Sequence, residues 1–202
     1  MDSPCYCYHN KKISRKELDA SCENARGVCY ESRMLSDWKA SAGFYKKGEK
    51  RDTPKAIREA KVDSLCVLTT LIPNGPVKTP EEDRCIFAVF FVDNLCEGDE
   101  KQAGYVCTKS QYKIKLSLQQ AQRLRFWDYY VNIDSERPEI PKWGSSLHRY
   151  LENQQAAQIL RDIADKVETP DKKLALDFLK HFCKVKDIDA SNLGAPRGAL
   201  KM

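Results

Sequence analysis

Five residues that commonly bind transition metals lie near the start of the sequence. Their spacing, C-x-C-x-H-x12-C-x6-C, supplies more sulfur and nitrogen ligands than the four that tetrahedral zinc requires. A segment this short cannot bury a core of its own, and a metal ion would hold it together. We predict a structural zinc site in which Cys5, Cys22 and Cys29 bind together with either Cys7 or His9. Free thiols on an unstructured segment are the alternative.

A second candidate site is the aromatic segment RFWDYYVNIDSERPEIPKWGSSLHRYL, residues 125–151, which carries two of the three tryptophans. Aromatic faces stack on unpaired nucleobases, at about 1–3 kcal/mol per base, while polar side chains bind base edges or phosphates. The alternative is plain packing, in which these rings cover the end of a sheet. The residues predicted to bind a base are Trp127, Tyr129, Tyr130, Trp143, Ser145, Ser146, His148 and Arg149.

Basic residues are concentrated between positions 46 and 61 of a chain whose formal net charge is +5. Such a charge permits an anionic partner without requiring one. Acidic residues are interspersed in the same stretch, so an ordinary solvated surface is the alternative. The predicted phosphate contacts are Lys46, Lys47, Lys50, Arg51, Lys55 and Arg58.

Enzyme signatures are weak in this sequence. It has neither a glycine-rich phosphate loop nor a nucleophile in the context of a hydrolytic triad. Glu59 and Lys61 form an E-x-K pattern, and His148 is a possible proton acceptor, so a metal-dependent nuclease or hydrolase is one alternative. We predict a non-enzymatic protein with no catalytic residue.

Four runs of residues predict β-strands. Residues 64–72 and 84–93 are continuous apolar runs, which are typical of strands buried on both faces. Residues 104–108 and 112–116 are shorter and alternate, as half-exposed strands do.

Helices are predicted mainly in the second half of the chain. Ser117 and Gln120 form a capping-box pattern, which indicates a short helix after the fourth strand. Apolar residues at helical spacing predict a helix over Tyr150–Val167, and Thr169 followed by Pro170 predicts the start of another. The fold class that follows is α+β. The last stretch, GAPRGALKM, is expected to be disordered.

The run from SLCVLTTLIP through IFAVFFVDNLCEGDE to FWDYY and WGSSLHRYL resembles the PUA-like superfamily, in particular EVE- and YTH-type domains and their uncharacterised bacterial relatives. The resemblance covers residues 30–165 and implies a small β-barrel or mixed sheet flanked by helices. It also implies binding of nucleic acid, with a modified base in an aromatic cage, often in defence against phage. At matching positions it implies site roles for Trp127, Trp143 and Ser145, with Thr69 and Thr70 at the pocket rim.

The expected organisation has four segments. They are a Cys/His-rich zinc module at 1–30, a PUA-like, EVE-type domain at 31–167, a C-terminal helix at 168–190 and a disordered tail at 191–202. No apolar stretch approaches the roughly 18 residues needed to cross a membrane. The start of the chain lacks the order of a secretory signal, so a cytoplasmic location is expected.

The predicted function is that of a nucleic-acid-binding module that captures a modified base of DNA or RNA in an aromatic pocket, as part of phage defence or restriction. An effector protein is a further expected partner, and a membrane is not. A protein–protein adaptor that uses the aromatic loop as its contact is a third alternative.

Overall fold

The computed structural model describes most of the chain after the cysteine-rich start. The described residues are 30–47, 50–57, 59–72, 79–133, 135–143, 148–168 and 170–202. Within them the chain forms helices and antiparallel sheets, which confirms the predicted α+β class. No helix among these residues is long and apolar enough to cross a membrane.

The best-buried sheet is built around the strand β5, Cys85–Phe91, each residue of which is buried. Its neighbours are β4 (Leu65–Thr70) and β8 (Lys113–Lys115), both antiparallel to it, so that Val89 lies opposite Val67 and Ile114. The runs predicted at 64–72, 84–93 and 112–116 therefore form strands. β4 is mostly half-buried rather than buried on both faces, and it is one of the two edge strands of this sheet.

A second sheet has the order β1 (Lys39–Ser41), β7 (Ala103–Cys107) and β6 (Asn94–Gly98). β7 corresponds to the run predicted at 104–108, whereas β6 lies outside the four runs that were predicted to be strands. Gly98 ends β6 at a φ of +95°, and a Cβ there would lie 2.4 Å from the Gly104 nitrogen. Only glycine fits such a position without strain.

The remaining strands, β2 (Phe44–Lys47) and β3 (Lys50–Pro54), form a two-stranded antiparallel ribbon. The strands of the described residues are thus divided among three open sheets. The closed barrel that the PUA-like resemblance implies is not present among them.

Four helices complete the described structure. α1 (Tyr30–Asp37) precedes β1, and the short α2 (Leu118–Gln122) begins at the predicted capping box of Ser117 and Gln120. α3 spans Asn153–Lys166, three residues later than the predicted start at Tyr150. Glu152 and Gln155 form a capping box there, and this fixes where the helix begins.

α4 (Asp171–Val185) packs on α3 and on the edge of the first sheet. Phe178 is fully buried, with its ring 6.4 Å from that of Phe91 and 5.3 Å from that of Tyr112. Buried residues of α4, Phe178 among them, therefore belong to the same hydrophobic core as the residues that precede the helix.

The prediction of a disordered tail at 191–202 is wrong. The amide nitrogens of Gly198, Ala199 and Leu200 donate to the carbonyls of Asp128, Tyr130 and Trp127 at 2.9, 3.0 and 3.1 Å. Leu193 and Ala199 are buried. The composition suggested disorder, but backbone hydrogen bonds to a distant part of the chain order this segment.

Side chains of α3 hold the same tail from the other side. Arg161 donates to the carbonyls of Leu193 and Gly194 at 2.6 and 3.1 Å, and Gln158 donates to that of Gly194 at 3.1 Å. Arg161 also pairs with Asp162, which accepts a hydrogen bond from the Tyr129 hydroxyl at 2.6 Å. The tail, α3 and the aromatic segment are thereby joined.

Gly198→Ala is expected to lower the free energy of unfolding by about 1–3 kcal/mol, the usual cost of overpacking. The added Cβ would lie 2.3 Å from the carbonyl oxygen of Trp127. Gly194→Ala is the matched control, because no atom lies within 4 Å of its Cβ position. Urea denaturation of both variants makes the comparison, and equal stabilities would mean that the tail does not dock as described.

Candidate nucleic-acid interface

Two of the rings predicted to stack on a base belong to the core. A 3-10 turn at Phe126–Asp128 and the residue after it place Trp127 at 0% and Tyr129 at 2% exposure. The Trp127 indole nitrogen donates to Glu81 at 3.3 Å, and the Tyr129 hydroxyl donates to Asp162. With both polar groups paired, these rings can be buried completely. Neither ring offers a stacking face to a base in this arrangement.

Burial also changes the acidity of Tyr129. Desolvation is the main cause that raises its pKa, and the carboxylate of Asp162 raises it further. The phenol therefore stays protonated and continues to donate its hydrogen bond, as a structural group should.

Tyr130 and Trp143 form an outer aromatic layer over this core. Both are half-buried. The Tyr130 ring stacks on Phe126 at 5.1 Å between centroids, and the Trp143 ring lies edge-on to Phe126 at 5.3 Å and to Trp127 at 6.4 Å. The two tryptophans are therefore close together, as the sequence suggested, but at different depths. Trp127 is buried and forms the floor beneath Trp143, whose ring lies nearer the surface.

Two arginines lie over the Trp143 ring. The guanidinium carbon of Arg84 is 4.2 Å from the ring centroid, and that of Arg149 is 5.0 Å away. Cations at these distances are attracted to the electron-rich face of an indole. Arg84 is also held by two hydrogen bonds to the carboxylate of Glu81, the second of them 3.1 Å long.

Arg84 was not among the residues predicted from the sequence. The sequence feature that could have identified it is its position directly before the apolar run of β5. A charged side chain at the end of a buried strand must point away from the core. That feature indicates exposure, but it does not reveal which ring the arginine will meet.

His148 connects the aromatic segment to the basic stretch. Its pKa is lowered from the ordinary 6.5, first by burial, then by the positive charge of Lys55 and, more weakly, by that of Arg149. A hydrogen bond to the Ser41 backbone acts in the opposite direction. The charge of Lys55 thus acts on His148, although the two residues are far apart in the sequence. We call Arg84, Trp143, His148, Arg149 and Lys55 the cationic cluster.

The two predicted rim residues lie at the end of β4. Thr70 is buried at 3% exposure and opposite Cys85, whose thiol donates to the Thr70 carbonyl at 3.5 Å. Thr69 is half-buried opposite Ile86. Since Arg84 directly precedes Cys85, this end of the sheet is the one that leads to the cationic cluster.

Several predicted site residues are not described by the structure. Of the basic ribbon only the backbone is described at Lys46, Lys47, Lys50 and Arg51. The residues wholly outside the described ranges are Cys5, Cys7, His9, Cys22, Cys29, Arg58, Ser145 and Ser146. Within the described residues, no group of three or more His, Cys, Asp or Glu side chains is arranged to hold a metal ion. The zinc site stays a prediction.

A cleft of about 390 Å³ lies elsewhere, between the start of α3 and the C-terminal tail. Tyr129 is the one predicted base-binding residue that lines it. Two of its amide side chains, Gln155 and Gln158, already donate to backbone carbonyls of Tyr129 and of the tail. The cleft is thus separate from the cationic cluster and does not collect the predicted site residues.

The chain matches no protein-family model, and it has no significant match among curated proteins or among solved structures. Its resemblance to PUA-like domains therefore rests on the sequence motifs alone, and what can be argued about function rests on the geometry of the described residues.

The stability of the fold should fall as the solution is acidified through the range where histidine titrates. Because the pKa of His148 in the folded chain is below 6.5, the unfolded chain binds a proton first as the pH falls, which favours unfolding. His148→Gln should remove this contribution. We expect a smaller loss of stability between about pH 7.5 and about pH 5 in the variant, measured by urea denaturation. An equal loss in both proteins would contradict the lowered pKa of the half-buried His148.

Proposed function

We propose that this chain is a nucleic-acid-binding module that holds an unstacked base at Trp143 and the neighbouring phosphates at the cationic cluster. The observation that supports this is the placement of Arg84 and Arg149 over the half-buried Trp143 indole. The charge of Lys55 adds to it, since after burial it is the next cause that lowers the pKa of His148, the neighbour of Arg149. An aromatic face and several cations at one place are what a nucleotide requires, since its base is flat and its phosphate is anionic.

The arginines add to the stacking surface as well as to the charge. A guanidinium plane can stack on a base in the same manner as an aromatic ring. Arg84 is suited to this role, because its two hydrogen bonds to Glu81 hold the guanidinium over Trp143 before any ligand binds. A preorganised surface loses less side-chain entropy on binding.

The packed floor contributes rigidity. Trp143 lies edge-on to Phe126 and Trp127, and both of these are buried. A ring with such a support has few alternative positions, so it can discriminate bases by shape. Selectivity for a modified base, a role in phage defence and a zinc-bound N-terminal segment are further parts of the proposal, and they rest on the sequence.

Replacing Lys55 tests the electrostatic part of the proposal. Lys55→Gln should weaken binding to a short single-stranded oligonucleotide and reduce the slope of log Kd against log salt by about 1, as expected when one phosphate contact is lost. Fluorescence anisotropy at several salt concentrations measures both quantities. Lys109→Gln is the matched control. This exposed lysine comes just after the last residue of β7, whereas the Lys55 carbonyl accepts a hydrogen bond from Gly104, near the first residue of β7. The two lysines therefore lie at different ends of that strand.

Replacing Trp143 tests the base contact. Trp143→Leu keeps an apolar side chain on the aromatic floor but removes the stacking face, so affinity should fall by the equivalent of about 1–3 kcal/mol. Any preference between plain and modified cytosine or adenine should disappear with it. Trp143→Phe is the control and should keep most of the affinity. Unchanged binding by the leucine variant would show that the base does not contact this ring.

The same oligonucleotides distinguish a binding module from the alternative, a metal-dependent nuclease. Burial, and then the charge of Glu59, raise the pKa of the Tyr150 phenol, so an acidic residue acts on the residue that directly follows Arg149. Cleavage of the oligonucleotide with Mg²⁺, lost on Glu59→Gln, would favour a nuclease over a binding module.

A further inference from the structure

The β2–β3 ribbon places like charges opposite one another. In its register Lys46 pairs with Arg51 and Lys47 pairs with Lys50. Residues 46–51 carry these four cations against a single acidic residue, Glu49. Like charges at directly opposed positions destabilise an antiparallel pair, and the effect is repeated at two successive positions here.

The ribbon also has little other support from strand pairing. It forms a two-stranded sheet, and no third strand of the described residues pairs with it. Two-stranded ribbons are marginally stable by themselves. The opposed cations of the ribbon repel one another. A polyanion bound to the ribbon would neutralise this positive charge.

The base of the ribbon is attached to the cationic cluster. Lys55 follows Pro54, the last residue of β3, and its backbone bonds to the Gly43 carbonyl at 2.9 Å and to the Gly104 nitrogen at 2.8 Å. The same Lys55 lowers the pKa of His148 through its charge. At about 3.3 Å per residue, the charged end of the ribbon lies roughly 15 Å from this attachment, which is the span of several phosphates along a nucleic-acid strand.

We infer that the β2–β3 ribbon binds duplex DNA beside the base held at Trp143, an inference that rests on the proposed function. The major groove of B-form DNA is about 12 Å wide and admits a two-stranded β-ribbon, whereas that of A-form RNA is too narrow and deep. The ribbon therefore favours a DNA ligand in which a double-stranded segment lies beside the unstacked base. The cations of residues 46–51 would neutralise phosphates at the edges of its major groove.

Three labelled probes test this by fluorescence anisotropy: a single-stranded DNA oligonucleotide, the same strand extended by a DNA duplex, and the same strand extended by an RNA duplex. The wild-type chain should bind the DNA-flanked probe about tenfold more tightly than the single strand at low salt, with little gain for the RNA flank. Lys47→Glu should abolish the gain and leave binding of the single strand nearly unchanged.

Lys47→Glu is chosen because it separates binding from folding. It places opposite charges across the ribbon at the Lys47–Lys50 pair, so the ribbon should be at least as stable as before. A loss of the duplex gain with undiminished urea stability thus cannot come from misfolding. Lys109→Glu carries the same change of charge on a surface outside the ribbon and should retain the gain.

The outcomes separate this inference from the proposed function. If Lys47→Glu keeps the duplex gain, or if the RNA flank gives an equal gain, the ribbon inference is overturned while single-strand binding still supports the base site. If the wild-type chain binds no single strand, the proposed function fails. Binding to vesicles of anionic phosphatidylserine that is lost in Lys47→Glu, without any duplex gain, would assign the ribbon to a membrane surface and overturn the inference.

Discussion

The complete burial of β5 is the constraint on which the described structure depends. Its central residues, Ile86 to Phe90, are 0% exposed, so side chains must cover the strand on both faces. β4 and β8 flank it within the sheet, while Phe178 of α4 covers Phe91 at one end. Each large side chain buried in this way contributes about 1.5–3 kcal/mol relative to exposure.

The end of β5 decides where charge can gather. Arg84 cannot enter the core, and it turns to the surface where Glu81 and Trp143 receive it. One oxygen of Glu81 accepts from both Arg84 and the Trp127 indole nitrogen. The same carboxylate therefore fixes a buried ring and a surface cation. Without it, an unpaired indole N–H in the core would cost about 1–3 kcal/mol.

The sequence predicts best those elements whose signal is local. Long apolar runs identify β4 and β5, and the capping box at Ser117 identifies the start of α2, because strand burial and helix capping depend on a few neighbouring residues. β1, β2, β3 and β6 are short and lack a long apolar run, and β1 pairs with β7, which lies far along the chain, so no local pattern of the kind that identifies β4 and β5 reveals them.

The sequence predicted only part of the candidate site, because only its local features can be read from the sequence. Trp, His and Arg types within residues 125–151 indicate an aromatic, basic surface, and the structure places Trp143, His148 and Arg149 together there. Which ring is buried could not be read from the segment, because the partners that allow Trp127 and Tyr129 to be buried, Glu81 and Asp162, lie elsewhere in the chain. The docking of the tail depends in the same way on a distant contact. Gly198 has no Cβ, and the backbones can approach closely there.

That tail contact gives the chain a late step in its folding. The amides of residues 198–200 pair with carbonyls of residues 127–130, so a loop of about seventy residues must close before they meet. Contacts of such high sequence separation slow folding, and they form after local helices and hairpins. The packing of Trp127 beneath Trp143 is thus linked to a contact that closes late, as is the pairing of β1 with β7. The arrangement of the surface around Trp143 is in this way linked to the docking of a segment far along the chain.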